Sequence, residues 1–305
     1  LLVGKLLFTI KQNQLHSICF VNFIVVLPYA CHLRIEVIMR TGLESEQIEY
    51  YQENGFLIYR NLLSSYEVEE LKKAVLDAIS TMGRNRITGQ DVHLKDSDGY
   101  FDRVYTQRLN LWAISEKVKS YLQDPKLGKM LCELEGIDGI RVWHDQALIK
   151  EPFGNPTNLH LDNPYWSFYS RNSITIWIAL EDATPENGCL CFLPKSNRLA
   201  SIDNVGPTQE FGELLNLYPL MRDIEPVVAA MKAGDCSFHN GLTAHGAGVN
   251  MTKQRRIALT CAYMPEGMTF NGNRNVLPTD YFNSLEIGDV LDWEEFNPLV
   301  YPKQI

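Results

Sequence analysis

The run Asn158-Leu159-His160-Leu161-Asp162-Asn163-Pro164-Tyr165-Trp166 sets the reading of the whole chain. Its centre is a histidine, one apolar residue and an aspartate. On an extended strand, residues two apart point to the same face. His160 and Asp162 are therefore expected to present an imidazole nitrogen and a carboxylate oxygen to one point in space. That is two thirds of the two-histidine, one-carboxylate set that holds Fe(II) while leaving positions open. A lone His-x-Asp arises easily by chance, so its weight depends on a third ligand and a cosubstrate anchor downstream.

Such residues exist. Phe238-His239-Asn240-Gly241-Leu242-Thr243-Ala244-His245-Gly246-Ala247-Gly248 offers two histidines, His239 and His245, among glycines that permit close backbone approach. Arg256 opens the apolar run Ile257-Ala258-Leu259-Thr260-Cys261. An arginine heading such a strand is costly to bury without a partner. Its planar fork suits a carboxylate. A small dicarboxylate, chelating iron at one end, would supply that partner at the other.

The surrounding pattern is that of a β protein. From Ile137 onward the apolar period is two, with Ile140, Val142, His144, Gln146 and Leu148 alternating against Arg141, Trp143, Asp145, Ala147 and Ile149. Further strands are expected at 173–180, 189–193, 227–231, 236–239 and 256–264, separated by turns such as Pro185-Glu186-Asn187-Gly188 and Lys232-Ala233-Gly234-Asp235. Many short strands at this spacing predict an antiparallel two-sheet jelly roll with helices outside.

The helices are readable at 44–54, stopped by Gly55, and after the capping box Ser64-Ser65-Tyr66-Glu67, with Val68, Leu71, Val75, Ile79 and Met82 on one face. Another starts at Asp124-Pro125 and stops at Gly136. Residues 84–110 read as a long loop that covers a site, and residues 266–305 as a wrapping tail.

Composition narrows the function. The 305 residues are 45% hydrophobic, enough for a sizeable core, and the net charge of −9 disfavours a general nucleic-acid or anionic-membrane surface. The 7 cysteines are scattered, with no paired framework, which suits a reducing compartment and a cytoplasmic protein. Residues 1–38 contain an apolar run broken by Asn22 and Pro28. They are expected to be a leader or extension rather than a membrane anchor, with one folded domain from Met39 to Ile305.

In order and spacing the chain resembles the phytanoyl-CoA dioxygenase family. The resemblance rests on Trp143-His144-Asp145-Gln146, the His160–Trp166 run, Trp177-Ile178-Ala179-Leu180 and Asn187-Gly188-Cys189-Leu190. It continues through Leu193-Pro194, Gly234-Asp235 and His245-Gly246 to Arg256, eleven residues beyond His245. It implies a double-stranded β-helix of the cupin-like type and an enzyme using Fe(II), 2-oxoglutarate and O2. By that resemblance His160, Asp162 and His245 ligate iron, and His239 is left a supporting role. Arg256 binds the far carboxylate of 2-oxoglutarate and Trp177 lines the cosubstrate pocket. From the residues themselves, Gln146 and Tyr165 either reach that pocket, Gln146 as a cosubstrate contact, or satisfy each other.

The implied reaction couples decarboxylation of 2-oxoglutarate to succinate and CO2 with hydroxylation of a small organic substrate. Asp162 matters here, because halogenating relatives lack the carboxylate. Leu161 stands where the family often has glutamine, and Ala247 where some members have serine. The rival reading is a cupin-like module that binds metal or ligand without turnover.

Overall fold

The computed structural model describes residues 39–90, 106–202 and 212–302. The leader expected at 1–38 lies outside the described residues, as does the 91–105 part of the expected covering loop.

The first helix, α1 (Ser45–Asn54), ends on Gly55 in the left-handed region and leads into strand β1 (Phe56–Tyr59). Helix α2 (Ser65–Met82) begins with the anticipated box: Ser64 Oγ accepts from the Glu67 amide while Glu67 returns a bond to the Ser64 amide at 2.8 Å. Its buried face is Val68, Leu71, Val75, Ala78 and Met82, with Ile79 packed at the margin. Each such aliphatic side chain, fully buried, contributes about 1.5–3 kcal/mol.

Strand β2 (Thr106–Leu109) and helix α3 (Glu116–Leu122) follow, then helix α4 (Pro125–Glu135), started by Asp124 and stopped by Gly136 as its sequence predicts. The strands after it are β3 (Ile140–Lys150), β4 (Thr157–His160), β5 (Ile174–Ala179) and β6 (Leu190–Phe192). Helix α5 (Glu213–Leu217) precedes β7 (Val227–Ala229), β8 (Cys236–Asn240), β9 (His245–Ala247) and β10 (Arg256–Pro265). Helix α6 (Thr279–Ser284) and strand β11 (Leu299–Tyr301) complete the described elements.

Two antiparallel sheets result. The larger runs β1-β8-β5-β10-β3-β11, with β2 also on β3; the smaller runs β4-β9-β6-β7. Alternation along β5 and β10 separates two cores. Ile174, Ile176, Ile178, Ile257, Leu259 and Cys261 pack on the helices. Trp177, Ala179 and Ala258 instead meet Leu190, Phe192 and Ala247 of the smaller sheet. The space between the sheets is where the inward polar residues gather.

Four expectations need correction. The unbroken alternation through Ile140–Ile149 fails at a bulge: Tyr263 pairs with Val142 and Ala262 with His144, leaving Trp143 extra. One extra residue moves every later side chain to the other face. Ile140 and Val142 therefore join Ala147 and Ile149 in the helix-side core, while Gln146 lines the inter-sheet cavity.

Residues 84–110 are not all loop, since Thr106–Leu109 is paired with β3. The tail does more than wrap, because Leu299–Tyr301 adds a strand to the large sheet and buried Arg141 clamps the tail through Glu266, Glu294 and the Asn297 carbonyl. The fourth correction concerns Asp162, which lies beyond the end of β4 in a helical backbone conformation (φ −79°, ψ −50°). Helices α3 and α5 are short and carry no long apolar period, so the sequence did not signal them.

Among the described residues no helix is long and apolar enough to cross a membrane, and five cysteines there are free thiols.

Asp145 shows how tightly β3 is tied to the helical layer. It is 0% exposed and accepts from the amides of Leu111 (3.0 Å) and Trp112 (2.9 Å) at the start of a short helical turn. Burial pushes its carboxyl up to about 7, against the pull of those amides. The folded state thus keeps a proton that the unfolded chain has released, and stability should fall as pH rises from about 4 to about 7, then level off. Asp145→Ala would strand two buried donors and is expected to cost about 2–5 kcal/mol in denaturant titrations. Asp145→Asn keeps an acceptor and should flatten the pH slope; an unchanged slope would show that Asp145 does not hold that proton.

Candidate metal centre

Antiparallel pairing of β4 with β9 sets His160 directly opposite His245. Their ring centroids are 4.2 Å apart. Each Nδ1 faces a backbone carbonyl: Asn158 O at 2.8 Å for His160, Thr243 O at 3.0 Å for His245. A carbonyl only accepts, so each Nδ1 carries the proton and each neutral ring turns its Nε2 lone pair forward.

Asp162 reaches the same point from the turn after β4. Its amide and that of Asn163 both donate to Gly241 O, at 3.0 and 2.9 Å, which fixes the turn against the β8–β9 connection. The two carboxylate oxygens have different neighbours. Oδ2 accepts from Thr175 Oγ1 at 3.0 Å and lies 3.3 Å from His239 Nε2. Thr175 and His239 are themselves register partners across β5 and β8.

Oδ1 faces His160 Nε2 at 3.6 Å and His245 Nε2 at 3.8 Å. Those separations are too long for hydrogen bonds. The three candidate ligand atoms lie within 4.8 Å of one another. Two neutral imidazole nitrogens and one carboxylate oxygen make a donor set that fits iron with open positions. His239 sits on the far oxygen of the same carboxylate.

The charges agree with this arrangement. Burial opposes ionisation of Asp162, yet His245, His160 and His239 hold its carboxyl well below the usual range. Burial, with His160 and His239 beside it, pushes the His245 imidazole well below its ordinary value. Burial also works against charge on His160, but neighbouring Asp162 outweighs it and the net shift is upward.

An inner cavity of about 80 Å³ joins the centre to the other sequence-singled residues, being lined by His160, Asp162, His245, Trp177, Gln146 and Arg256. Arg256 is 3% exposed; its Nη2 donates to Gly188 O at 2.9 Å and its guanidinium lies 5.0 Å from the Trp177 ring centre. Gly188 must be glycine: its φ is +83°, and a Cβ there would come 2.5 Å from Gly248 O. Trp177 is at once a core aromatic and a wall of the cavity. Leu161 points the other way, into a core with Leu193 and Leu242, while Ala247 is on the cavity wall.

Outside the inner cavity is a pocket of about 610 Å³, reached by Gln146, His160 and Asp162 and walled by Arg86, Gln107, Tyr165 and Trp166 among others. Gln146 and Tyr165 both face it, and Gln146 takes Gln107 as its partner. The amide orientations follow from Arg86, which can only donate. Gln107 Oε1 accepts from Arg86, so Gln107 Nε2 donates to Gln146 Oε1, leaving the Gln146 NH2 as the end that donates onward.

Sequence reading missed Thr175, Gln107 and Arg86. Thr175 was accessible, lying two before Trp177 on the same strand face. Gln107 was hidden by the loop reading of its strand.

Comparison with known proteins agrees with this geometry. The phytanoyl-CoA dioxygenase (PhyH) family model matches residues 51–258. The peroxisomal phytanoyl-CoA dioxygenase of Mus musculus is 28% identical over 234 residues, covering 72% of this chain and 68% of that protein. Dioxygenase lolE1 of Epichloe uncinata is 30% identical over 230 residues, covering 73% and 83%. Among solved structures, the non-heme alpha ketoglutarate dependent carbocyclase SnoK from nogalamycin biosynthesis superposes with a TM-score of 0.69 at 26% identity, covering 86% of this chain and 98% of that one. The two-sheet fold is thus the double-stranded β-helix, and the chain belongs to the phytanoyl-CoA dioxygenase family as a 2-oxoglutarate-dependent non-haem iron dioxygenase.

Proposed function

We propose that His160, Asp162 and His245 hold the iron and that Arg256 grips the far carboxylate of 2-oxoglutarate beside Trp177. The enzyme then hydroxylates a small organic substrate seated in the outer pocket, releasing succinate and CO2. The observation that carries this reading is the division of labour on Asp162: one oxygen held by Thr175 and His239, the other turned to two imidazole nitrogens.

When bound, iron with 2-oxoglutarate activates O2 for C–H oxidation. The chain's own residues do the rest. The carbonyls of Asn158 and Thr243 hold the imidazole rings in the tautomer that leaves Nε2 free to ligate. Thr175 fixes the carboxylate rotamer. Arg256, buried against Trp177 and the Gly188 carbonyl, supplies a fixed charge for a carboxylate in a site shielded from water. Gln146, held by Gln107, offers an amide N–H where the inner and outer spaces meet.

Succinate release with Fe(II), ascorbate, 2-oxoglutarate and O2 tests the reading directly. His160→Ala is expected to abolish it, and Arg256→Ala to raise the KM for 2-oxoglutarate roughly tenfold to a hundredfold, the loss of a charge-assisted bond. Turnover unaffected by His160→Ala would sink the ligand assignment. Metal affinity without 2-oxoglutarate can be read with Mn(II). Thr175→Val should weaken it about tenfold, by freeing the carboxylate to rotate.

Because His160 holds its proton above the ordinary range, metal must displace that proton. Mn(II) affinity should therefore fall about tenfold per unit as pH drops below the raised value, and level off above it. A pH-independent affinity across mild acid would contradict this.

A further inference from the structure

The outer pocket is built for a substrate of a particular charge. Arg86 and Arg274 both line it, and the sole carboxylate in its wall among the described residues is Asp162, already committed to the metal centre in the reading above. Neither guanidinium has an acidic partner among the described residues. Arg86 donates to the neutral amide of Gln107. Arg274 donates to Thr279 Oγ1 at 2.8 Å and to the Leu277 carbonyl at 3.4 Å, and lies over the Phe282 ring. The protein carries a net charge of −9, yet no acid among the described residues pairs with either arginine.

A second, independent feature points to a ligand in the same space. His144 is 4% exposed and lines the pocket edge-on to Trp166. Burial pushes its imidazole down to about 4, so it offers a hydrogen bond and not a charge. Ile87, Leu109 and Val276 complete the wall with apolar surface.

We propose that the substrate is an organic oxyacid, a carboxylate or a phosphonate with an apolar body. Its anionic head is bound by Arg86 and Arg274, and a polar atom of the body meets His144. This rests on the oxygenase reading of the inner site and names the substrate class for it. Planar guanidinium forks suit both head groups. The head, held at the arginines, directs the apolar body toward His160 and Asp162, where oxidation takes place. The pocket thus selects by charge at one end and leaves the other for an unactivated C–H bond.

The test uses the full chain loaded with Mn(II) and saturating 2-oxoglutarate, titrated calorimetrically with hexanoate, hexylphosphonate and the neutral hexanamide. At least one anion is expected to bind at least tenfold more tightly than hexanamide, and the tighter of the two identifies the head group. Arg86→Gln retains a donor for Gln107, and Arg274→Gln removes the second charge. Each is expected to weaken anion binding about tenfold or more, with 2-oxoglutarate affinity moving less than threefold.

Equal binding of hexanamide, no binding of either anion, or anion binding that survives both substitutions would overturn the proposal. The 2-oxoglutarate titration fails separately. If that cosubstrate does not bind while the anion response and its loss in the arginine variants remain, the inner-site reading falls and the anion subsite stands.

Discussion

The structure depends on one carboxylate with unlike neighbours on its two oxygens. Asp162 has left the strand that carries His160, and its turn is tied to Gly241 by two backbone bonds. Its Oδ2 meets Thr175 and His239, which the pairing of β5 with β8 places opposite each other on the large sheet. Its Oδ1 faces two histidines that the pairing of β4 with β9 places opposite each other on the small sheet. One side chain thus reads the register of both sheets at once. A slip of one residue in either pairing would turn a partner to the wrong face, so the candidate metal centre and the fold specify each other.

The same logic explains why charge is tolerated between the sheets. Buried ions are costly unless paired and hydrogen-bonded. Asp162 is surrounded by imidazoles, and Arg256 has the Gly188 carbonyl and the face of Trp177. These compensations are local and geometric. They also divide the interior by function, with Asp162 and Arg256 lining a small inner cavity and two arginines set among polar and apolar residues lining a larger outer one. The proposed cosubstrate and substrate sites meet at Gln146, His160 and Asp162, which line both.

Much of this was legible from the amino acids because the signals are local. Helix α2 is announced by Ser64 and Glu67, helix α4 by Asp124, Pro125 and Gly136, and strands β5 and β10 by alternation. The His160–Asp162–His245–Arg256 spacing pointed to iron and 2-oxoglutarate chemistry, which family and fold comparisons support. What stayed hidden was non-local. The bulge at Trp143 depends on the path of β10, which bends at Ala262 and Tyr263. Strand β2 is short and polar, and becomes a strand through its pairing with β3. Arg86, Gln107 and Arg274 carry no motif; the fold alone brings them to one pocket.

By itself, then, the sequence determined the local chemistry: where helices α1, α2 and α4 start and stop, which stretches alternate as strands, and which donor atoms are available to a metal. Those properties depend on capping, periodicity and side-chain type within a few residues. Tertiary structure alone decided that Asp162 reaches the centre from a turn instead of a strand, and that Thr175 and His239 share its second oxygen. It also decided that two arginines far apart in the chain face one pocket. The reason is that register, bulges and strand order are set by the packing of two sheets against each other, a constraint spread over the whole chain and carried by no single segment of it.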